Sequence, residues 1–223
     1  MTPVRKRIKS RSERKEELRA RIISESLRLF LDQGYDQTTM RQILQKTGIL
    51  NGSLYNVFKG KDEIYSAVLE EALFEALDEA QNILGEECDD IMKINFPFIL
   101  EMYAASKSKK IASLISVGFQ RPLVREKIVN YVYDGLMSFK GISSVMSEDM
   151  IRFKSEIAVG ALGSVISLYE RGDVTIRLDE VVDSFTRSMI VLFDYDADDI
   201  DLTNSKLLDI ISKNDIEICG IKI

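Results

Sequence analysis

Three features of the sequence predict an all-α fold. Leu, Ile, Glu, Lys and Ala, all compatible with helices, are abundant. The 223 residues include 3 Pro and 12 Gly, too few turn formers for a many-stranded β architecture. Apolar residues also recur at three- and four-residue spacing through most of the chain. Hydrophobic residues make up 45% of the total, enough to build a buried core without outside help.

The first helix is expected over residues 13–33, where Leu18, Ile22, Ile23, Leu27, Leu29 and Phe30 keep helical period and Gly34 supplies a left-handed stop. Thr39-Met40-Arg41-Gln42 has the form of a capping box. It opens a short second helix, with Met40, Ile43 and Leu44 inward, that Thr47-Gly48 ends. A third short helix covers 51–58, with Leu54, Val57 and Phe58 on one side and Asn51, Ser53, Tyr55 and Asn56 on the other. A long helix opens at Lys61 and runs to about Gly85, carrying Ile64, Val68, Ala72, Ala76 and Ala80 in succession.

Beyond it the apolar pattern widens, predicting helices over 91–105, 111–119, 122–139, 150–169 and 178–193. Breaks are expected at 106–108, at Arg121-Pro122, over 141–147 and at Gly172-Asp173. The acidic run after Phe193 reads as a solvated linker. Asp194, Asp196 and Asp198 imitate the start of a calcium loop, but Asp199 replaces its glycine and Ser205 its bidentate glutamate. Residues 203–213 read as one more helix, and the last eight residues are β-prone. The expected organisation is thus a flexible basic arm (1–12), a three-helix domain (13–60), a larger helical domain (61–193) and an acidic extension (194–223).

Charge divides the chain in the same way. Residues 1–61 carry a net +8 and residues 62–223 a net −14, so the N-terminal quarter favours a polyanion and the remainder repels one. Nucleic acid is the natural candidate, with an anionic membrane surface as rival; the corresponding alternative function is a helical membrane-surface or scaffold protein anchored by its basic N-terminus. No uncharged apolar run approaches the ~18 residues of a membrane span, and no apolar signal region follows the basic start, so a soluble, cytoplasmic protein is expected. Cys88 and Cys219 form neither a metal motif nor a disulfide framework. The chain has no His, which removes the commonest general base and metal ligand, and it has no GxxxxGK[ST] or GxGxxG cradle. An enzyme, a metal site and a bound cofactor are therefore not expected.

Two short helices joined by a tight turn at Gly48 form a helix-turn-helix, whose second helix enters the DNA major groove. Gly52 would let the backbone approach the duplex, Asn51 and Ser53 would reach base edges or phosphates, and Tyr55, Asn56 and Lys61 would flank them as phosphate ligands. The basic stretch 4–11 is expected to stay a flexible tail, with a minor-groove arm as its functional alternative.

The segment TTMRQILQKTG followed by NGSLYNVFKGKDEI, after ISESLRLFLDQGYDQ, resembles the tetracycline-repressor (TetR) family of bacterial regulators over residues 18–69. That resemblance implies an all-α homodimer with an N-terminal DNA-binding domain and a C-terminal domain for a small-molecule effector and dimerisation. Carried onto this chain, it makes Thr39 a phosphate contact and Arg41 a base reader, and places Asn51, Gly52, Ser53, Tyr55 and Lys61 at DNA. The chain departs from the family pattern at Leu50, where a capping residue is usual, and at Asn56-Val57.

Aromatic and methionine residues between 96 and 139 are first of all core material. The resemblance implies an effector pocket among them, drawn from Phe96, Met102, Tyr103, Phe119, Tyr133 and Met137. For the dimer, two faces stand out: a stripe including Val182, Phe185, Met189 and Leu192, and a strip of Gly160, Ala161, Ser164 and Leu168 on the preceding helix. Paired across a two-fold axis they would form a four-helix interface, though either could be internal core. The expected protein is an effector-responsive dimeric regulator, a repressor on a near-palindromic operator of double-stranded DNA, released by a small apolar or amphipathic molecule.

Overall fold

The computed structural model describes residues 10–84, 90–194, 200–218 and 221–222. Most of the expected basic arm, Asp196, Asp198 and Asp199 of the acidic run, and both cysteines lie outside the described residues. The chain divides into two compact units, one through Val68 and one from Leu69, so the first unit reaches further than the expected boundary at 60.

In the first unit, α1 (Arg11–Gln33) begins two positions before the expected start, because Ser10 and Glu13 form a reciprocal capping box at its N-terminus. Residues 11 and 12 thus belong to the helix and not to an arm. α2 (Met40–Thr47) is capped in the same way by Thr39 and Gln42, and Gly48 closes it with φ 63°, a left-handed conformation that a side chain would strain. α3 (Asn51–Val57) follows after three residues. α4 (Lys61–Leu84) contributes residues to both units.

Ile22, Ile23, Leu27 and Phe30 of α1 close over Ile43, Leu54, Phe58, Ile64, Tyr65 and Val68, all buried. Phe30, Tyr35 and Tyr65 form a triangle of rings with centroids 4.9 to 5.7 Å apart. Such edge and tilted ring pairs hold the end of α1, the following turn and the start of α4 in one register. The Tyr35 hydroxyl donates to Asp62, tying the same turn to the first turn of α4.

The second unit contains α5 (Asp90–Lys107), α6 (Lys109–Gln120), α7 (Pro122–Ser138), α8 (Lys140–Ser143), α9 (Glu148–Arg171), α10 (Leu178–Phe193) and α11 (Ile200–Lys213). A two-stranded antiparallel hairpin, β1 (Glu217–Ile218) with β2 (Ile221–Lys222), follows. α9 is the central post, packing on α5, α6, α7 and α10. Phe96, Ile99, Met102, Val129, Ile151, Val159, Leu162, Ile166 and Val182 meet in the middle, each almost or wholly buried.

One expectation changes here. The single turn α8 falls within a stretch read as a break, and its Ile142 is drawn into the core. The C-terminal extension, whose place in the fold the sequence left open, carries the expected helix and strands and is part of the second unit: α11 packs on α5 and α10, and Leu207, Ile211, Ile216 and Ile218 join the central core. Asn204, fully buried, secures α11 by donating to Asp183 Oδ1 at 2.9 Å and Thr186 Oγ1 at 2.6 Å.

Of the two readings of the α10 stripe, the burial within the chain favours internal core. Val182, Phe185 and Met189 are buried against their own chain, with Phe185 facing Phe98 at a ring distance of 5.8 Å, and Leu192 is half-buried. Their periodicity marks the internal face of α10, because α5, α9 and α11 already cover it.

Candidate nucleic-acid interface

The second helix of the helix-turn-helix is held from beneath and left open above. Leu54 is fully buried and Phe58 nearly so, which orients α3 against α1 and leaves Asn51, Gly52, Tyr55 and Asn56 exposed, with Ser53 half-buried. Tyr55 is 41% exposed, an amphipathic ring that the core has not taken up. At the start of α3, Leu50 makes no side-chain cap and is 80% exposed, as the departure from the family pattern implied.

Gly52 has no internal reason to be glycine. Its φ is not in the left-handed range, and a Cβ built there meets no atom within 4 Å. A helical glycine costs about 1 kcal/mol relative to alanine, and no close approach among the described residues requires it here. Gly48 differs: its positive φ is required by the turn, and the Arg21 guanidinium lies 3.8 Å from where a Cβ would stand.

The remaining DNA candidates divide between free and committed groups. Arg41, on the outer side of α2, is exposed and has neither a hydrogen bond nor an ion pair among the described residues. The Thr39 hydroxyl donates to Gln42 Oε1 at 2.8 Å while accepting from the Gln42 amide. A phosphate oxygen can only accept, so a phosphate contact by Thr39 requires its hydroxyl hydrogen to leave Gln42 Oε1, while the oxygen keeps accepting from the Gln42 backbone N–H. Lys61 is committed more firmly, for its Nζ donates to the Tyr35 carbonyl at 2.7 Å and lies 4.1 Å from the Tyr35 ring centroid. It fastens the 34–38 turn to the first turn of α4, a structural task that its spacing did not reveal.

The expected effector residues lie in the second unit. Phe96 and Met102 are fully buried in the core, while Tyr103, Phe119, Tyr133 and Met137 are half-buried around it. A groove of about 480 Å³ is lined by Ser116, Phe119, Gln120, Arg125, Ser164 and Arg171 among others, and contains only Phe119 of that set. It lies between α6 and α9, and Gly160, Ser164 and Leu168 of the expected dimer strip line it too.

That strip has an exposed face and an internal one. Gly163 is internal: a Cβ there would stand 2.8 Å from the Phe119 ring. Gly160 is external, with nothing within 4 Å of its missing Cβ. Along the same face of α9, Phe153 is 62% exposed, Ile157 42% and Leu168 38%, giving an apolar and small-residue line at helical spacing. Phe153 and Ile157 were missed in the sequence, although the same three-four spacing, continued toward the N-terminus from Gly160, leads to them.

Residues 22–68 match the family described as bacterial regulatory proteins, tetR family. The chain is 44% identical over 54 residues to the HTH-type transcriptional regulator SrpR of Pseudomonas putida, spanning 24% of this chain and 25% of that protein. It is 34% identical over 76 residues to the HTH-type transcriptional repressor KstR2 of Mycolicibacterium smegmatis, spanning 34% and 37%. The matched stretch is therefore well under half the length of either relative. Among solved structures, RolR in complex with resorcinol is similar with a TM-score of 0.57 at 18% identity, over 93% of this chain and all of that one. FadR of Bacillus subtilis in complex with stearoyl-CoA is similar with a TM-score of 0.53 at 16% identity, over 76% of this chain and 96% of that one. At these identities the structural likeness speaks for the all-α fold.

Proposed function

Because this chain belongs to the tetR family of bacterial regulatory proteins, we propose that it is a dimeric transcriptional repressor that binds a near-palindromic DNA operator and releases it when a small organic effector binds the second unit. The observation that carries the reading is α3: a short helix anchored by Leu54, with Asn51, Tyr55 and Asn56 exposed around a glycine for which the chain has no internal use. In a major groove, Gly52 brings the backbone close to the duplex. Asn51 and Arg41 offer donors to base edges, and Tyr55 offers a hydroxyl to a phosphate. The +8 charge of residues 1–61 supplies the sequence-independent attraction.

Dimerisation follows from the same geometry. Two recognition helices must lie one helical turn of DNA apart, ~34–36 Å, to read paired half-sites. The exposed face of α9, with Phe153, Ile157, Gly160, Ser164 and Leu168, is the surface we assign to the two-fold contact, in place of the buried stripe on α10. The effector belongs to the second unit, as resorcinol and stearoyl-CoA are bound by the similar proteins RolR and FadR.

The test is selection of bound duplexes from a random pool, followed by affinity measurements on the selected sequence. A sequence with two inverted half-sites is expected, with Asn51→Ala and Arg41→Ala each changing base preference by ~1–3 kcal/mol at one position of the half-site. Enrichment of no sequence, together with binding to anionic vesicles, would favour the membrane-surface alternative.

A further inference from the structure

Lys61 directs its charge into the first unit. It is the first residue of α4, where a cation opposes the helix dipole, so the helix it begins does not explain its presence. Its Nζ donates to the Tyr35 carbonyl at 2.7 Å and to the Asp36 carbonyl at 3.4 Å, and lies 4.1 Å from the Tyr35 ring centroid. Asp62, the next residue, accepts from the Tyr35 hydroxyl. Two neighbouring residues of α4 thus grip the buried Tyr35, one at its carbonyl and ring face and the other at its hydroxyl.

The Tyr35 carbonyl has a second donor, which leads to α2. The backbone N–H of Thr38 donates to the same oxygen at 3.1 Å, and Thr38 immediately precedes Thr39, the N-cap of α2. Side chains tie the turn to α2 a second time. The buried Thr38 hydroxyl donates to the Gly34 carbonyl at 2.8 Å and accepts from Gln33 Nε2 at 3.1 Å. Gln33 Oε1 accepts from Gln42 Nε2 at 3.3 Å, and Gln42 holds Thr39 through the capping box. The direction of this chain is set by the Gln37 carbonyl, which can only accept and so keeps Gln33 Nε2 against it at 3.3 Å. Arg41 stands on the first turn of α2, at the end of the path, exposed and with neither a hydrogen bond nor an ion pair among the described residues.

A lysine can serve DNA binding in two ways, and the geometry separates them. As a phosphate ligand, Lys61 would have to withdraw Nζ from two carbonyls and an aromatic face, loosening the turn that leads into α2. As a tether, it keeps those contacts. We propose that Lys61 is a positioning residue for base reading by α2: it fixes the Tyr35–Thr38 turn, the turn fixes how α2 presents Arg41, and the Lys61 ammonium neutralises no DNA phosphate. The proposal rests on the operator-binding reading above and names the residue that holds that site in register. Attraction to phosphates then falls to other cations of the first unit, such as Arg21 and Lys46, which are exposed and have neither a hydrogen bond nor an ion pair from their side chains among the described residues.

The experiment measures affinity for the selected operator across a salt series, for the full-length parent and Lys61→Met, at a temperature where circular dichroism shows both folded. Lys61→Met is expected to bind about tenfold more weakly, the factor for a lost hydrogen bond to a charged group, with the parent's slope of log K against log salt. Loss of a phosphate contact would instead flatten that slope by about 0.9, and this result overturns the proposal. Unchanged affinity overturns it too, because Lys61 would then serve stability alone. A double-mutant cycle supplies the link to α2: Arg41→Ala should weaken operator binding by a smaller factor in the Lys61→Met background than in the parent, and independent losses overturn the proposal. Lys61→Gln, which keeps a donor and removes the charge, carries the slope test if Lys61→Met does not fold; the parent's slope is expected and a flattened one overturns the proposal. If the parent selects no operator, the DNA-binding reading itself fails. If the parent binds and the Lys61→Met slope flattens, only the positioning role does.

Discussion

At the scale of single residues, what a side chain touches decides which sequence signals concern function. Gly52 and Lys61 both carried the helix-turn-helix reading, yet one is unused by the fold and the other is built into it. Opposite outcomes follow. Gly52→Ala should raise thermal stability, by up to about 1 kcal/mol, while weakening DNA binding, whereas Lys61→Ala should lower both. Melting curves and binding isotherms on the same preparations separate the two. Glu101 gives a pH dependence of defined sign. Its folded-state value of about 7 lies above the ordinary 4.5, so between these values the folded state holds more protons than the unfolded one, and stability falls as pH rises through that window. Glu101→Gln should therefore gain melting temperature over the parent on going from pH 5 to pH 8, by a few degrees, corresponding to about 2 kcal/mol. A constant difference across that range would show that the carboxyl titrates normally.

At the scale of elements, the assembly question comes down to two helices with opposite roles. α10 directs its continuous apolar stripe inward, so Phe185→Asp should unfold the second unit instead of producing a folded monomer, because it places a charge among Phe98 and the α9 core residues. α9 keeps an apolar line outward, and Ile157→Glu, on that line, should yield a folded monomer. Sedimentation distinguishes these cases when read beside circular dichroism: a dimeric Ile157→Glu protein would remove α9 from the interface. α3 offers a gain instead of a loss. Leu50 sits at the N-cap with extended backbone angles and no side-chain acceptor, so Leu50→Ser should stabilise the first unit by about 1 kcal/mol.

At the scale of the whole molecule, the C-terminal extension is part of the structure that completes the second unit. Leu207, Ile211, Ile216 and Ile218 are buried there, and each such side chain is worth about 1.5–3 kcal/mol on burial, together comparable to the 5–15 kcal/mol that holds an ordinary domain folded. Removing residues 200–223 should leave the second unit without a cooperative melting transition. A truncated chain that melts with the parent's midpoint would show that α11 and the hairpin are dispensable.

Much of this protein is determined locally and was legible in its sequence. Ser, Thr and Gly at helix ends and apolar residues at three-four spacing locate most helices to within a few residues, because caps and amphipathic faces are made by neighbours in the chain. The helix-turn-helix was legible for the same reason, since Thr39, Gly48, Leu54 and Phe58 act within one short segment. Periodicity shows that a helix has an apolar face but not what covers it. Only tertiary contacts decided that the α10 stripe is internal, that the free apolar face belongs to α9, and that the last helix is core. The task of Lys61 was hidden for the same reason: the carbonyls that hold it lie about 25 residues away in sequence, a relation that local spacing cannot encode.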